Sequence, residues 1–222
     1  MTIPAVATAA AAGATSRPDT LVLQADRPAL VLASASNARR RLLHGAGLTF
    51  TMAPANLDEA AVKREAKILD ASAEATALRL ARLKAQSASQ PDTIVLGCDQ
   101  ILVCDGLWYD KPPSLEVART HLRALRGRTH TLATATVALR GGVEVWKHTT
   151  SPRLRMRGFT EAFLEAYLAA EGDALLSSVG AYRLEGLGAQ LFDAIEGEHS
   201  AILGLPLLPV LGFLRAAGVL NA

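Results

Sequence analysis

Apolar residues along this chain fall into two rhythms, short unbroken runs and helical repeats, and the two alternate from about residue 28 onward. The run Pro28-Ala29-Leu30-Val31-Leu32-Ala33 predicts a strand covered on both faces. After Ser34-Ala35-Ser36, residues 37–45 predict a helix, capped by Ser36 or Asn37 and ended by Gly45 or Gly47. Residues 48–52 predict a second strand, and the Ala, Glu and Lys content of 58–89 predicts one or two helices. Thr93-Ile94-Val95-Leu96-Gly97-Cys98 is again an unbroken apolar run; it should end at Asp99-Gln100 before Ile101-Leu102-Val103 resumes. Asp105-Gly106 signals a turn, Ser114 caps a helix reaching Arg126, and 129–139 alternates as a strand. Gly141-Gly142 closes a hairpin onto 143–148, Thr160 starts a helix to about residue 170, and Pro206 opens the last helix. Strands and helices that alternate in this way, with one hairpin, predict an α/β fold with a mixed sheet.

Composition narrows the function classes. The 222 residues are half hydrophobic, enough for one sizeable core, in one domain or two intimately packed lobes. Basic and acidic residues number 23 and 21 and are interleaved, so the net charge of +2 gives no field able to hold nucleic acid or an anionic membrane. The longest uncharged apolar stretch, 201–214, would reach only about 21 Å as a helix and contains Pro206 and Pro209, whereas a bilayer core needs roughly 30 Å. Cys98 and Cys104 match neither a redox pair nor zinc-ligand spacing and read as reduced core thiols of a cytoplasmic protein. Residues 1–27 are Ala- and Thr-rich without a signal-peptide pattern, and read as a disordered extension or a start site set too early. Residues 28–222 then form a single domain.

Familiar nucleotide and hydrolase motifs are absent. There is no GxxxxGK[ST], neither Gly45-Ala46-Gly47 nor Gly186-Leu187-Gly188 is completed to GxGxxG, and no GxSxG elbow or HExxH pair occurs. Polar residues instead stand at the ends of apolar elements: Ser34, Ser36 and Arg39, then Glu59, Lys84, Asp99-Gln100, Lys111 and Glu185. A strand-to-helix junction gathers free N–H groups and the positive end of a helix dipole, so Ser34 and Ser36 suit a phosphate ligand. Each residue also has a plain structural reading: serines as caps, Arg39-Arg40-Arg41 as a solvated face, Lys84 and Lys111 as surface charges. Asp99 resists such a reading most, because a carboxylate in an apolar run needs a metal ion, a cationic neighbour or a turn to satisfy it.

Taken in order, these residues resemble a known family. Ala33-Ser34-Ala35-Ser36-Asn37-Ala38-Arg39-Arg40, Asp58-Glu59, Leu80-Ala81-Arg82-Leu83-Lys84-Ala85, Gly97-Cys98-Asp99-Gln100, Asp110-Lys111-Pro112, the Gly180–Gly188 block, Ile195-Glu196-Gly197 and Gly204-Leu205-Pro206-Leu207 are similar to the successive blocks of the Maf (septum formation) family, over about 29–215. The resemblance implies a mixed twisted sheet with flanking helices and a deep cleft between two lobes, similar to inosine triphosphate pyrophosphatases, and frequently a homodimer. It implies hydrolysis of nucleoside triphosphates to the monophosphate and pyrophosphate with a divalent cation, Mg²⁺ or Mn²⁺. Asp99-Gln100 and Glu185 resemble the branch acting on 7-methyl-GTP more than the dTTP and UTP branch. This chain departs from that branch at Asn37 and Ala38, where Pro and an aromatic residue are usual; Tyr182 and Trp108 are the alternative stacking candidates, or core aromatics.

By this resemblance Asp99 is the proton acceptor, Glu59 and Asp99 hold the metal, and Ser34, Ser36, Arg39, Lys84 and Lys111 bind the triphosphate. Arg40 is a weaker candidate. Ala38, Gln100 and Glu185 set the base, Glu185 by accepting the N1–H and N2–H donors of guanine. House-cleaning of non-canonical nucleotides is the implied purpose. The competing reading is a non-enzymatic, nucleotide-binding regulator of cell division; a nucleic-acid binder is disfavoured because no aromatics interleave with the basic run.

Overall fold

The computed structural model describes residues 23–221. The strands are β1 (Ala29–Ala33), β2 (Thr51–Met52), β3 (Thr93–Cys104), β4 (Leu107–Tyr109), β5 (Thr129–Arg140), β6 (Val143–Thr150), β7 (Arg153–Met156) and β8 (Phe192–Glu196). The helices are α1 (Asn37–Gly45), α2 (Glu59–Ile68), α3 (Ala73–Ser87), α4 (Leu115–Leu125), α5 (Glu161–Glu171), α6 (His199–Ile202) and α7 (Leu207–Ala216). The strands join in one mixed sheet, in the order β2-β1-β3-β5-β7-β8, with β4 added to β3 and β6 to β5. The chain is therefore α/β with an open mixed sheet and flanking helices, as its alternating pattern predicts.

Two long strands create the lobes. The first half of β3 pairs in parallel with β1, from Ala29↔Thr93 to Ala33↔Gly97. Its last residues pair with β4, beginning at Leu102↔Tyr109. Likewise the end of β5 carries β6 and its beginning carries β7. Between these two sets, residues 98–101 of β3 have a ladder partner only on β5. The sheet thus has a notch in its middle, and backbone groups facing a notch must find partners elsewhere.

The break expected at Asp99-Gln100 does not occur. Continuous pairing with β5 from Ile94 to Val103 carries β3 straight through both residues. Successive side chains then point to opposite faces, Asp99 toward α3 and Gln100 toward α6. Other differences are smaller. The strand expected over 48–52 shortens to Thr51–Met52, and β7, β8 and α6 give too few residues for a periodic signal. The 58–89 segment splits into two helices, where Asp70 takes a positive φ and Ser72 caps α3 by accepting from Ala75 N. Ser36, Ser114 and Thr160 cap α1, α4 and α5 as expected.

Apolar side chains pack in three groups. One lies between the sheet and α2–α3, around Leu80, Val95, Ile101 and Val137. Another lies on the opposite face under α1 and α7, around Leu32, Leu43, Leu96 and Leu214. The third fills the second lobe around Leu122, Leu154, Leu164 and Tyr182. Cys98 and Cys104 are buried free thiols within these cores. Among the described residues no helix is long and apolar enough to cross a membrane. Of the expected extension, residues 1–22 lie outside the described residues, whereas Gln24 bridges Leu220 and Ala25 N donates to Val219 O.

Gly97 and His130 show how closely the core constrains the sequence. A Cβ on Gly97 would stand 2.0 Å from Ala81 O and 2.7 Å from Ala85 N, so only glycine lets α3 lie this close to β3. Gly97→Ala is expected to destabilise by about 3 kcal/mol, lowering Tm by roughly 6–12 °C, because the clash is with helix backbone. His130 is buried, its Nε2 bonded to Tyr182 Oη at 2.9 Å and its Nδ1 without a partner. Burial pushes this imidazole down to about 4. Below pH ~6.5 the unfolded chain takes up a proton that the folded chain refuses, so about 3 kcal/mol is lost as pH falls from 6.5 toward 4. His130→Gln should flatten this part of the stability curve in urea titrations taken at successive pH values.

Candidate active site

The notch in β3 opens into a cleft of about 710 Å³ between the lobes, within the size range of small-molecule sites. Six cationic side chains line it, Arg39, Arg41, Lys63, Lys84, Lys111 and Arg183, against four carboxylates, Glu59, Asp99, Asp110 and Glu185. The excess of positive charge suits an anionic ligand with several negative groups.

Arg39 shows how the fold builds the floor. The N-terminus of α1 follows β1 after only three residues, which puts Arg39, the third residue of the helix, over the notch. Its Nη1 donates to Cys98 O, the carbonyl at the notch, at 2.9 Å, and to Ser34 Oγ at 3.1 Å. Its Nε donates to Gly204 O at 2.8 Å. Gly204 has a φ of +96°, and a Cβ there would press on the guanidinium at 3.1 Å. Ser34 Oγ also accepts from Ser36 N, and Ser36 Oγ caps α1 by accepting from Arg39 N. Ser36 is thus a cap and a cleft residue at once, while buried Ser34 supports Arg39 from behind it. Asn37 and Ala38 follow at the first turn of α1 and line the cleft.

On the other side of β3, Asp99 is only 4% exposed. Its Oδ1 accepts from Lys84 Nζ at 2.6 Å, while its Oδ2 is buried with no hydrogen-bond partner. Lys84 reaches it from α3, whose close seat on Gly97 fixes the distance, and also contacts Glu59 Oε1 at 2.8 Å. Burial pushes the Asp99 carboxyl up, and Glu59 adds to this, despite the opposing charges of Lys84 and Arg39. Burial would raise Glu59 too, but Lys84, with Lys63 and Lys111, more than offsets it and holds Glu59 below the usual carboxylate range. Lys111 sits at the cleft mouth; desolvation and the like charges of Arg39 and Lys84 hold its ammonium below the ordinary lysine value.

Most of the residues singled out in the sequence therefore meet: Ser36, Ala38, Arg39, Glu59, Lys84, Asp99, Gln100, Lys111 and Glu185 line one hollow, whereas Ser34 is buried and reaches it only through its bond to Arg39. Gln100 lines it, yet its Nε2 is committed to Thr134 Oγ1, Ala201 O and Ile202 O, so it ties α6 and the Gly204 segment to β3. Glu185 accepts from Arg41 Nη2 at 2.7 Å across the mouth. Tyr182 lines the floor but is buried and bonded to His130, and packs edge-on against Phe192. Trp108 lies away from the cleft, with Lys67 over its ring. Arg40 is exposed and does not line the cleft.

Sequence reasoning missed Lys63, Arg41 and Arg183. Lys63 lies four residues after Glu59, on the same face of α2, and contacts Asp110 next to Lys111; that spacing was the available signal. Arg183 is held by Glu171, whose buried carboxylate also accepts from Leu187 N, and nothing in the sequence announces this.

Among the described residues no three His, Cys, Asp or Glu side chains are grouped to hold a metal by themselves. Glu59 and Asp99 offer two carboxylates with one buried oxygen unpartnered. That is the donor set Mg²⁺ takes when phosphate oxygens and water complete its octahedron, so the residues fit a cation that arrives with a nucleotide.

The chain is similar to known proteins over most of its length. A family model described as Maf-like protein matches residues 29–217. A protein of Granulibacter bethesdensis named nucleoside triphosphate pyrophosphatase is 55% identical over 188 residues, spanning 84% of this chain and 95% of its own length. One of the same name from Rhodospirillum rubrum is 50% identical over 195 residues, spanning 87% and 96%. A Rhizobium etli protein named 7-methyl-GTP pyrophosphatase is 44% identical over 196 residues, spanning 87% and 98%. The match spans the notch, the cleft and the elements that carry them, and on that extent the chain belongs to the Maf family.

Proposed function

We propose that this chain hydrolyses nucleoside triphosphates at the α-phosphorus, giving the nucleoside monophosphate and pyrophosphate. One observation carries the reading: a buried carboxylate, Asp99, has one oxygen held by Lys84 and the other unpartnered, on the wall of a cleft lined by six cations. Water attacking the α-phosphorus loses a proton as the anhydride bond to the β-phosphate breaks, and pyrophosphate leaves. Asp99 orients that water and accepts the proton; Lys84, itself paired with Glu59, holds Asp99 in place. Ser34, Ser36 and the first N–H groups of α1 receive phosphate oxygens, while Arg39, Lys84 and Lys111 offset charge that grows in the transition state. Glu59 and Asp99 Oδ2 would hold Mg²⁺ or Mn²⁺, which when bound neutralises phosphate charge and acidifies coordinated water.

The proteins most informative for substrate carry names that specify nucleoside triphosphates and, in one instance, 7-methyl-GTP. Glu185 favours the latter, since one carboxylate accepts both N1–H and N2–H of guanine and is drawn to a ring made cationic at N7. The reading extends to house-cleaning of modified nucleotides by a cytoplasmic homodimer that binds neither nucleic acid nor membrane; sedimentation of the purified chain checks the dimer. A panel of canonical and modified nucleoside triphosphates, assayed with Mg²⁺ for pyrophosphate against orthophosphate, tests the activity. Orthophosphate as first product would place cleavage at the terminal phosphate. Binding without turnover would favour the division regulator.

A further inference from the structure

One side of the cleft mouth is bridged by a contact that the triphosphate chemistry does not use. Arg41, in α1 of the first lobe, donates through Nη2 to Glu185 Oε1 at 2.7 Å, across 144 residues of sequence. Glu185 stands in a loop that the second lobe holds rigidly from beneath. Buried Glu171 takes Arg183 Nη1 with one oxygen and Leu187 N with the other, on either side of it. Gly188 fits under Arg183 only without a side chain, since a Cβ would lie 2.5 Å from Arg183 O. The chain that carries Glu185 is therefore held on both sides, whereas the ion pair itself is open to solvent: the Arg41 side chain is 53% exposed and that of Glu185 28%. An ion pair of that exposure is weak and readily exchanged.

We infer that Arg41 is a specificity-setting residue, which occupies Glu185 until a base able to displace it arrives. This rests on the reading of Glu185 as the base acceptor. A guanine offers two adjacent N–H donors to a carboxylate, and its N7-methyl form adds a positive charge, so it replaces the guanidinium with a comparable partner. Uracil offers a single N–H flanked by two carbonyl oxygens, which a carboxylate repels, and leaves the Arg41–Glu185 contact closed. Arg41 thus taxes every substrate that uses Glu185 and none that does not. Any attraction of Arg41 for the triphosphate itself is common to all substrates and cancels in a ratio of two bases.

The test is the ratio of kcat/KM for 7-methyl-GTP to that for UTP, measured in the wild-type chain, Arg41→Met, Glu185→Gln and the double variant, with Arg40→Met as a charge control outside the cleft. Arg41→Met should raise the ratio about 2- to 5-fold, the amount set by an exposed ion pair, and Arg40→Met should leave it unchanged. In the Glu185→Gln background the Arg41 substitution should no longer alter the ratio. An unchanged ratio in Arg41→Met, a fall in it, or an equal rise in both backgrounds overturns the proposal. Absence of pyrophosphate release by the wild-type chain from any triphosphate would instead overturn the activity on which it rests, so the two failures are distinct.

Discussion

Asp99→Asn is expected to lower the rate of pyrophosphate release by about 10²- to 10⁴-fold with nucleotide binding largely intact, because it removes a proton acceptor and leaves the cationic wall in place. The amide keeps the volume of the carboxylate. Lys84 retains Glu59 at 2.8 Å as a counter-charge, so thermal stability should change little and the lost rate is not lost folding. Near-normal turnover would remove Asp99 from the proton-accepting role. The pH profile supplies a second reading. Burial holds the Asp99 carboxyl above the ordinary value against Lys84 and Arg39. The acceptor must be ionised, so activity should rise with pH through an acid limb that belongs to Asp99. Asp99→Asn should remove that limb from whatever rate remains.

Arg39→Ala should be the most damaging single change to the site. The guanidinium satisfies Cys98 O at the notch, Gly204 O before α7 and Ser34 Oγ at the start of α1, so its loss orphans two buried carbonyls. At about 1–3 kcal/mol for each buried acceptor left unpaired, a destabilisation of about 4 kcal/mol is expected, with triphosphate affinity and turnover both falling. Arg39→Lys discriminates between charge and geometry. A lysine restores the charge but not the fork that serves three acceptors, so it should recover little of the stability or the rate. Denaturation midpoints and single-turnover rates on the pair of variants check this; full recovery in Arg39→Lys would show that Arg39 acts as a point charge only.

These two residues also mark the limit of what a linear reading yields. Buried strands, capped helices and the α/β class were legible because each leaves a local trace: Leu30–Leu32 as an apolar run, Ser36, Ser114 and Thr160 as caps, Gly141-Gly142 as a hairpin turn. The candidate site was legible as a set of ordered motifs matching a family, and all of its residues but Ser34 line one hollow. In the sequence Asp99 reads as the end of a strand because a carboxylate interrupts the apolar run. It lies inside one because β5 supplies ladder partners on one edge while the notch leaves the other open.

What the sequence by itself determined were the elements, their order, the family and the residue types that bear charge. Only the tertiary structure decided which of those charges meet. Periodicity reports the face on which a side chain lies but says nothing of what packs against it. The Lys84–Asp99 contact depends on α3 seating on Gly97. The Arg41–Glu185 contact joins residues far apart in the chain, and Lys63 meets Asp110 from a helix in the other lobe. Gln100 looks like a free cleft residue until α6 takes its amide. Each of these is a long-range pairing set by how two lobes close on a shared sheet, and no local pattern encodes it.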